Sequence, residues 1–402
     1  MIQTDREIID SFVRSDFAID SVTTAEMQNR EYIKYTGRFL LDDTEAAHTR
    51  LVERLQPYHL MPLFRLEEGQ PVILILENVN KQPAKNRPGI NLIFFVLTLL
   101  SVLFSGALYS LGADETTSGS LLRDVWNHLG SGWSFALSLL AILGAHEFGH
   151  YLAGRYHKVH VTLPFFIPFP FSTFGTLGAF IQMKDLPRNR KHLLDIAIAG
   201  PLAGLVVAIP VLIVGLMLSQ VTPLPAVLQP GQAYQIEGNS ILYLLLKFLT
   251  KGQLLPAPAT MDGLNPILYW VRYFFTGNPI PLGGVDVMLH PMAWAGWAGL
   301  LVTALNLIPA GQLDGGHIFY VLFDSKGIKR LYPVILVALI GLGFIWNGWW
   351  LWAILIFFMG RVHAEPMDQL TPLDSRRKWL GILAIVIFFL VFTPIPLSIV
   401  GM

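Results

Sequence analysis

Long apolar runs separated by short polar segments fill the chain from residue 89 onward. A helix of about 20 apolar residues crosses the hydrocarbon core of a bilayer, and each of these runs reaches that length. The runs cover residues 89–112, 133–156, 196–219, 293–313 and 379–402. Residues 331–360 suit one oversized helix or a hairpin, and the Asn347-Gly348 pair favours the hairpin. The pattern predicts an α-helical polytopic membrane protein with about six to eight membrane segments.

The first 88 residues are more polar and follow shorter periods. Residues 44–55 predict an amphipathic helix that begins after Asp42 and Asp43. Strands are predicted over residues 32–41, 60–66 and 71–77, and residues 79–88 are a polar linker. We therefore expect a small α+β cytosolic domain with its linker over residues 1–88, followed by a membrane-embedded domain over residues 89–402. A unit this small is expected to regulate or dock rather than to catalyse.

Basic residues predict the orientation of the membrane segments, because they collect on the cytoplasmic side. Lys81, Lys85 and Arg87 precede the first run and place the N-terminus in the cytoplasm. The other basic positions that fit this orientation are Arg155, Lys158, residues 184–191, Lys326, Lys329, Arg330, Arg361 and residues 376–378. Residues 220–292 are then external, and the apolar stretch 241–249 is too short to span the bilayer. That stretch is expected to lie in the interface or to be re-entrant.

Composition narrows the classes of function. With 53% hydrophobic and only 14% charged residues, the chain suits a lipid environment rather than water. The net charge is zero and no long basic run occurs, so a nucleic-acid partner is not expected. The chain has no cysteine, which leaves histidine and carboxylate side chains as ligands for a catalytic metal.

The segment HEFGH at residues 146–150 carries the main candidate chemistry. Residues i and i+4 share one helix face, so His146 and His150 can reach one ion. Glu147 is then placed to accept a proton from the attacking water without being a ligand. Such groups are costly at membrane depth unless they are paired or functional. The alternatives are histidines that pack by hydrogen bonding to Glu147, and a transport path for zinc or protons.

A catalytic zinc needs a third protein ligand, and Asp314 is the leading candidate. It follows the charge-free run 293–313, and by the predicted topology it lies at the same membrane depth as the two histidines. The alternative is a carboxylate that only ends a helix at the interface. His317 is a candidate second-shell partner or alternative ligand, or simply a polar residue at the helix end.

Three further features lie near these residues in the predicted arrangement. Asn306 is a candidate for orienting the substrate or stabilising an oxyanion, with helix packing as the alternative. Residues 161–183 hold too many prolines for a helix. This apolar segment is expected to pair its edge with an extended substrate, to be a re-entrant packing loop, or both. The small residues of AGPLAGL, which begin the predicted helix over 196–219, permit close contact with the helix that carries the histidines.

The motifs HEFGH, AGPLAGL and NLIPAGQLDGG, in this order, resemble the site-2 proteases, which form peptidase family M50. The resemblance covers about residues 89–402. The segment PFFIPFPFSTFGTLGAF and the preceding α+β region look like the EGY-type branch, which occurs in cyanobacteria, plant plastids and other prokaryotes. The third motif departs from the commoner Asn-Pro-Asp-Gly form, because Gln312-Leu313 precedes Asp314-Gly315. The aspartate and its glycine remain.

The resemblance implies a three-helix core around one Zn²⁺ per chain. In that core His146, His150 and Asp314 are the metal ligands and Glu147 is the catalytic base. It also implies an intramembrane zinc metalloprotease that hydrolyses peptide bonds in or near transmembrane segments of membrane proteins. The alternatives are an inactive membrane scaffold and a metal transporter. The polar, acidic N-terminus lacks the pattern of a signal or transit peptide, so a prokaryotic plasma membrane is expected, with a thylakoid membrane as the other setting.

Overall fold

A computed structural model of the protein describes residues 6–27, 30–77, 88–111, 120–229, 234–261, 263–360 and 365–400. Most of the predicted linker, with Lys81, Lys85 and Arg87, lies outside the described residues, as does Arg361. The helices are α1 (Arg6–Arg14), α2 (Thr44–Leu55), α3 (Pro88–Leu111), α4 (Leu121–Asn127), α5 (Trp133–Tyr156), α6 (Arg190–Leu218), α7 (Ile241–Lys251), α8 (Pro266–Thr276), α9 (Pro291–Asn306), α10 (Asp314–Gly343), α11 (Gly348–Met359) and α12 (Ser375–Val391). The strands are β1 (Phe17–Met27), β2 (Arg30–Phe39), β3 (Leu60–Glu67), β4 (Gln70–Glu77), β5 (Phe165–Pro168), β6 (Thr176–Phe180), β7 (Gln220–Pro223), β8 (Tyr234–Glu237), β9 (Val285–Met288) and β10 (Leu397–Val400).

The N-terminal region forms a four-stranded antiparallel sheet in the order β1-β2-β4-β3. Helices α1 and α2 supply apolar side chains such as Ile9 and Leu51 to a core that also holds Ile33 and Phe64 from the sheet. The side chain of Asp43 caps α2 by accepting from Ala46 N at 2.9 Å, as the sequence predicted. The small α+β unit is confirmed, and α1 and β1 extend it beyond the predicted strand-helix-strand-strand order.

Three helices of the described residues are long and apolar enough to span a membrane. They are Pro88–Leu111, Leu129–Tyr156 and Arg190–Leu218, which agree with the first three predicted runs. The later runs form shorter or interrupted helices: α9 has 16 residues, α12 has 17, and α10 is broken at Asp324 by a positive φ of 60°. The stretch predicted as a hairpin divides between α10 and α11, with Gly343 and Gly348 on either side of the turn.

Helices α5, α6 and α9 pack against one another. Small residues bring them close: a Cβ on Gly149 would collide with the backbone of Ala199, and one on Gly296 would lie 2.7 Å from Leu212 Cβ. Close backbone approach through small residues is the usual way in which membrane helices gain packing energy. Helices α5 and α9 carry His146, Glu147, His150 and Asn306.

Residues 160–184, between α5 and α6, form a hairpin that reaches across to α3. Strands β5 and β6 pair in it, and an isolated bridge joins Val161 to Met183 near its base. At the tip Gly175 has a φ of +74° and accepts a hydrogen bond from the Ser101 hydroxyl at 2.5 Å. A side chain there would collide with the α3 backbone, so the turn requires glycine. The prediction of an extended rather than helical segment is confirmed.

Candidate metal centre

Helix α5 carries His146 and His150 one turn apart on a buried face. The run from Trp133 to Tyr156 has no proline, which lets the i to i+4 spacing persist across the histidines. Their Nε2 atoms lie 3.2 Å apart, and the side chains are 4% and 6% exposed. Two buried imidazoles therefore converge on one point.

The tautomer of His150 follows from its other ring nitrogen. Nδ1 lies 2.7 Å from the backbone carbonyl oxygen of Ile196 on α6. A carbonyl can only accept, so Nδ1 carries the hydrogen and Nε2 presents a lone pair toward His146 and Asp314. Such an outer hydrogen bond is the arrangement that orients metal-binding histidines.

Asp314 approaches the histidines from the first position of α10. Its Oδ2 lies 3.3 Å from His146 Nε2 and 3.3 Å from His150 Nε2. The predicted helical run over residues 293–313 is shorter in the structure, because α9 ends at Asn306 and a non-helical turn follows before Asp314. Gly311, with a φ of +59°, lies in that turn, and a side chain on Gly315 would collide with the Leu307 carbonyl. This compact turn brings α10 back beside the histidines.

The spacing of the three donor atoms fits zinc. Tetrahedral zinc with bonds of about 2.0–2.1 Å places neighbouring ligand atoms about 3.3 Å apart. The three observed separations are 3.2, 3.3 and 3.3 Å. His146, His150 and Asp314 form the metal-sized His/Asp/Glu cluster found among the described residues. The donor set is two imidazoles and one carboxylate, which leaves one position of a tetrahedron open, as catalytic zinc sites require.

The other predicted residues surround this cluster. Glu147 is 6% exposed and lines the same cavity as the three donors. The Asn306 amide nitrogen lies 3.3 Å from His146 Nε2, at the end of α9. His317 is buried one turn into α10 and also lines the cavity, but it is not part of the donor triangle. The structure thus brings all the candidate residues around one cavity, with His317 outside the group of three donors.

The cavity beside the cluster has a volume of about 500 Å³. Residues 179–187, which form the end of the hairpin and the segment that leads to α6, line one wall. Residues 312–314 and Asn306 line another. The cavity therefore places the donors, Glu147 and an extended backbone segment around one space.

Gly200 and Gly204 of the AGPLAGL motif lie against the two histidines. A Cβ on Gly200 would overlap the His150 ring, and one on Gly204 would lie 3.3 Å from His146 Nδ1. The predicted close contact with the histidine helix is confirmed, although the motif lies inside α6, which begins at Arg190.

Two contributors were not identified from the sequence. The Ile196 carbonyl holds His150, and residues 184–187 line the cavity mouth. Every residue has a backbone carbonyl, so the residue type does not indicate which carbonyl binds a histidine. Residues 184–191 were interpreted only as a basic cytoplasmic segment.

The fold and site define an apolar helical protein whose core holds a buried His-His-Asp metal-ligand cluster. Residues 134–345, just over half of the chain, match the description "Peptidase family M50". The chain therefore belongs to peptidase family M50, and the resemblance to the site-2 proteases is confirmed.

The chain is also similar to plant proteins that are named as probable zinc metalloproteases. "Probable zinc metalloprotease EGY2, chloroplastic" of Oryza sativa subsp. indica is 28% identical over 368 residues, covering 87% of this chain and 59% of that protein. "Probable zinc metalloprotease EGY1, chloroplastic" of Oryza sativa subsp. japonica is 32% identical over 267 residues, covering 65% and 40%. The chain thus spans about three fifths or less of the length of these relatives. No solved structure shows detectable similarity to it.

Proposed function

We propose that the protein is an intramembrane zinc metalloprotease of the site-2 protease kind. The observation that carries the proposal is the triangle of His146, His150 and Asp314 donor atoms at zinc spacing, with Glu147 in the same cavity. Membership of peptidase family M50 and the similarity to proteins named as zinc metalloproteases support it.

In this proposal His146, His150 and Asp314 hold one zinc ion per chain. When bound, zinc supplies Lewis-acid activation of water and of the peptide carbonyl. The Glu147 carboxylate accepts the proton of the attacking water and delivers it to the leaving amine nitrogen. The Asn306 amide, next to His146, is placed to orient the peptide or to donate to the developing oxyanion.

We further propose that the substrate is held as an extended strand along residues 176–183. A transmembrane helix hides its backbone in its own hydrogen bonds, so cleavage requires local unwinding, and an exposed strand edge can then accept the freed groups. Strand β6 pairs with β5 on one side, and the chain that continues from it lines the cavity. This arrangement supports a membrane-protein substrate with a transmembrane segment.

For the setting, we propose a multi-pass protein in a prokaryotic plasma membrane or a thylakoid membrane, with its N-terminus in the cytoplasm or its equivalent. Three span-length helices and the basic residues at 184–191 support this orientation. The relatives named above are described as chloroplastic, which supports the thylakoid setting for them.

The first test compares the native chain with Glu147→Gln for zinc content and for cleavage of a model transmembrane segment in detergent. We expect zinc at one per chain in both proteins, because Glu147 is not in the donor triangle. Cleavage should fall by about 100-fold or more in the variant, since the proton transfer is lost. Undiminished turnover by Glu147→Gln would contradict the mechanism.

A matched variant, Asp314→Asn, separates metal binding from proton transfer. It should lose both zinc and cleavage, because an amide oxygen is a weaker ligand than a carboxylate. Zinc flux into liposomes through the native chain, without cleavage, would instead support the transporter alternative.

A further inference from the structure

The N-terminal sheet continues beyond β3 into the membrane domain through backbone hydrogen bonds. Phe64 N donates to Met367 O at 2.9 Å, and Gln369 N donates to Phe64 O at 3.2 Å. On its other side the same segment pairs with the chain that leads into α6: Met367 N donates to Pro187 O at 2.9 Å and Asp368 N to Arg188 O at 2.8 Å. Residues 366–369 therefore form a joint between the N-terminal domain and residues 187–189.

Side chains of the N-terminal domain reinforce this joint. Glu45 on α2 accepts from Asn189 Nδ2 at 2.9 Å and pairs with Lys191 Nζ at 2.6 Å. Asn189 is 3% exposed, and its Oδ1 accepts from His192 N to cap α6. Glu45 therefore holds the residue that starts the helix against which both histidines pack.

A second set of contacts fixes residues 366–371 themselves. The Arg65 guanidinium donates to the carbonyl oxygens of Pro366 and Met367 at 3.0 and 2.8 Å. The Asp368 carboxylate, 1% exposed, accepts from the backbone nitrogen of Thr371 at 3.1 Å. The Thr371 hydroxyl lies 3.2 Å from that of Thr44 on α2.

The joint ends where the cavity mouth begins. Residues 184–187 line the cavity, and Pro187 already belongs to the joint. At the other end of this segment Lys184 N donates to His160 O at 2.8 Å, which closes the base of the hairpin. Only Asp185 and Leu186 lie between the two fixed points, so this part of the cavity lining is tied to the N-terminal domain.

We propose that the N-terminal domain is a positioning part of the peptidase, which holds the mouth of the metal cavity in its substrate-binding shape through Glu45 and residues 366–369. This role rests on the proposed function above. Glu45 is a positioning residue: it acts on the cavity through Asn189 and the backbone of residues 184–189, and it lies outside the donor cluster and the cavity lining. Its loss should therefore affect substrate binding more than the chemical step.

The test compares Glu45→Ala with Glu53→Ala, which alters an exposed glutamate on the same helix. Hydrogen–deuterium exchange of amides 184–191 in detergent should be about three- to five-fold faster in Glu45→Ala, since one partly exposed ion pair and one hydrogen bond are lost. KM for a model transmembrane substrate should rise by a similar factor, with kcat and zinc content unchanged. Glu53→Ala should match the native chain in all four measurements.

A disulfide restores the joint without restoring Glu45. The chain has no cysteine, so Thr44→Cys with Thr371→Cys introduces a single possible pair at side chains now 3.2 Å apart. In the Glu45→Ala background, oxidation should return both the exchange rate and KM to the native values, and reduction should reverse this. A merely destabilised domain would not recover its KM in this reversible way.

Two results would overturn the proposal. One is native exchange of amides 184–191 together with native KM in Glu45→Ala. The other is a lower kcat when the cysteine pair is oxidised in the otherwise native chain, which would show that the joint has to open during turnover. Absence of cleavage by the native chain would count against the proposed function alone, because exchange is measured without substrate.

Discussion

At the scale of single residues, the glycines beside the histidines determine whether the donor triangle can form. Gly200 leaves no space for a side chain next to the His150 ring, whereas a Cβ on Gly204 would make a close contact of 3.3 Å with His146, which a shift of a few tenths of an ångström relieves. Both belong to one motif and lie one turn apart on α6. They offer a matched pair in which the substitution at Gly200 should disturb the ligand geometry far more than the one at Gly204.

Gly200→Ala should weaken zinc binding by about 10- to 100-fold, because the methyl group would displace His150 from its hydrogen bond to Ile196 and from Asp314. Gly204→Ala should weaken zinc binding by only a few-fold, since its methyl group would meet His146 Nδ1 at 3.3 Å and a shift of a few tenths of an ångström relieves that contact. Competition with a zinc-selective chelator measures both affinities. Equal affinities in the two variants would show that the packing of Gly200 does not set the site.

The candidate residues themselves were predictable because their chemistry is unusual for their place. Histidines and carboxylates are costly inside apolar runs, so HEFGH and Asp314 stand out against the sequence around them. The Ile196 carbonyl and the turn before Asp314 were not predictable. Each depends on how α6 and α10 pack, which no local pattern records.

At the scale of elements, a charged cluster ties three helices together next to the site. Asp195 on α6 accepts from His157 Nε2, just after α5, at 2.9 Å. Arg377 on α12 donates to both oxygens of Asp195, at 2.9 and 2.7 Å, and its third nitrogen reaches Asp374 at 2.6 Å. Because Ile196 follows Asp195, this cluster also steadies the carbonyl that orients His150.

Arg377→Lys should lower the thermal midpoint of unfolding in detergent, because an ammonium cannot reproduce the two-pronged contact with Asp195. The free energy of unfolding should fall by about 1 kcal/mol or less, since Arg377 and Asp195 are both partly exposed. Arg376→Lys is the control, because Arg376 is an exposed neighbour on the same helix. An equal shift of the thermal midpoint in both variants would argue against a stabilising role for the contact between Arg377 and Asp195.

Helix boundaries agree with the sequence prediction where an uninterrupted apolar run determines them. The predicted span 133–156 coincides with α5, because its apolar run is uninterrupted. Helix α6 begins six residues earlier than predicted, at Arg190, because Asn189 caps it and its polar first turns find partners in Glu45 and Arg377. Polar residues whose partners lie far away in the sequence resemble a loop when only the local sequence is considered.

At the scale of the whole molecule, acid should loosen the N-terminal domain at its joint. His48 on α2 is 3% exposed, lies edge-on to Phe64, and faces the Asp368 region. Burial lowers the pKa of His48 from its ordinary 6.5, a shift that the Asp368 charge partly opposes. The folded state thus disfavours the protonated ring.

Because the folded pKa lies below the unfolded one, the stability contributed by neutral His48 is complete above about pH 6.5 and is lost as pH falls through the folded pKa. Exchange of amides in residues 44–77 should therefore accelerate as pH is lowered from 7 to about 5, beyond the intrinsic dependence of exchange. His48→Gln should flatten this response, and the exposed His59→Gln should retain it. If the pH dependence of exchange is unchanged in His48→Gln, another titratable group causes it.

The joint also has a consequence for the order in which the molecule is made. Arg65 and the carbonyl of Met367 that it binds are 302 positions apart in the chain, and the segment between them includes every metal donor. During synthesis the histidines and Asp314 are made before residues 366–369, so the hydrogen bonds that hold residues 187 and 188 can form only after all three donors have been synthesised.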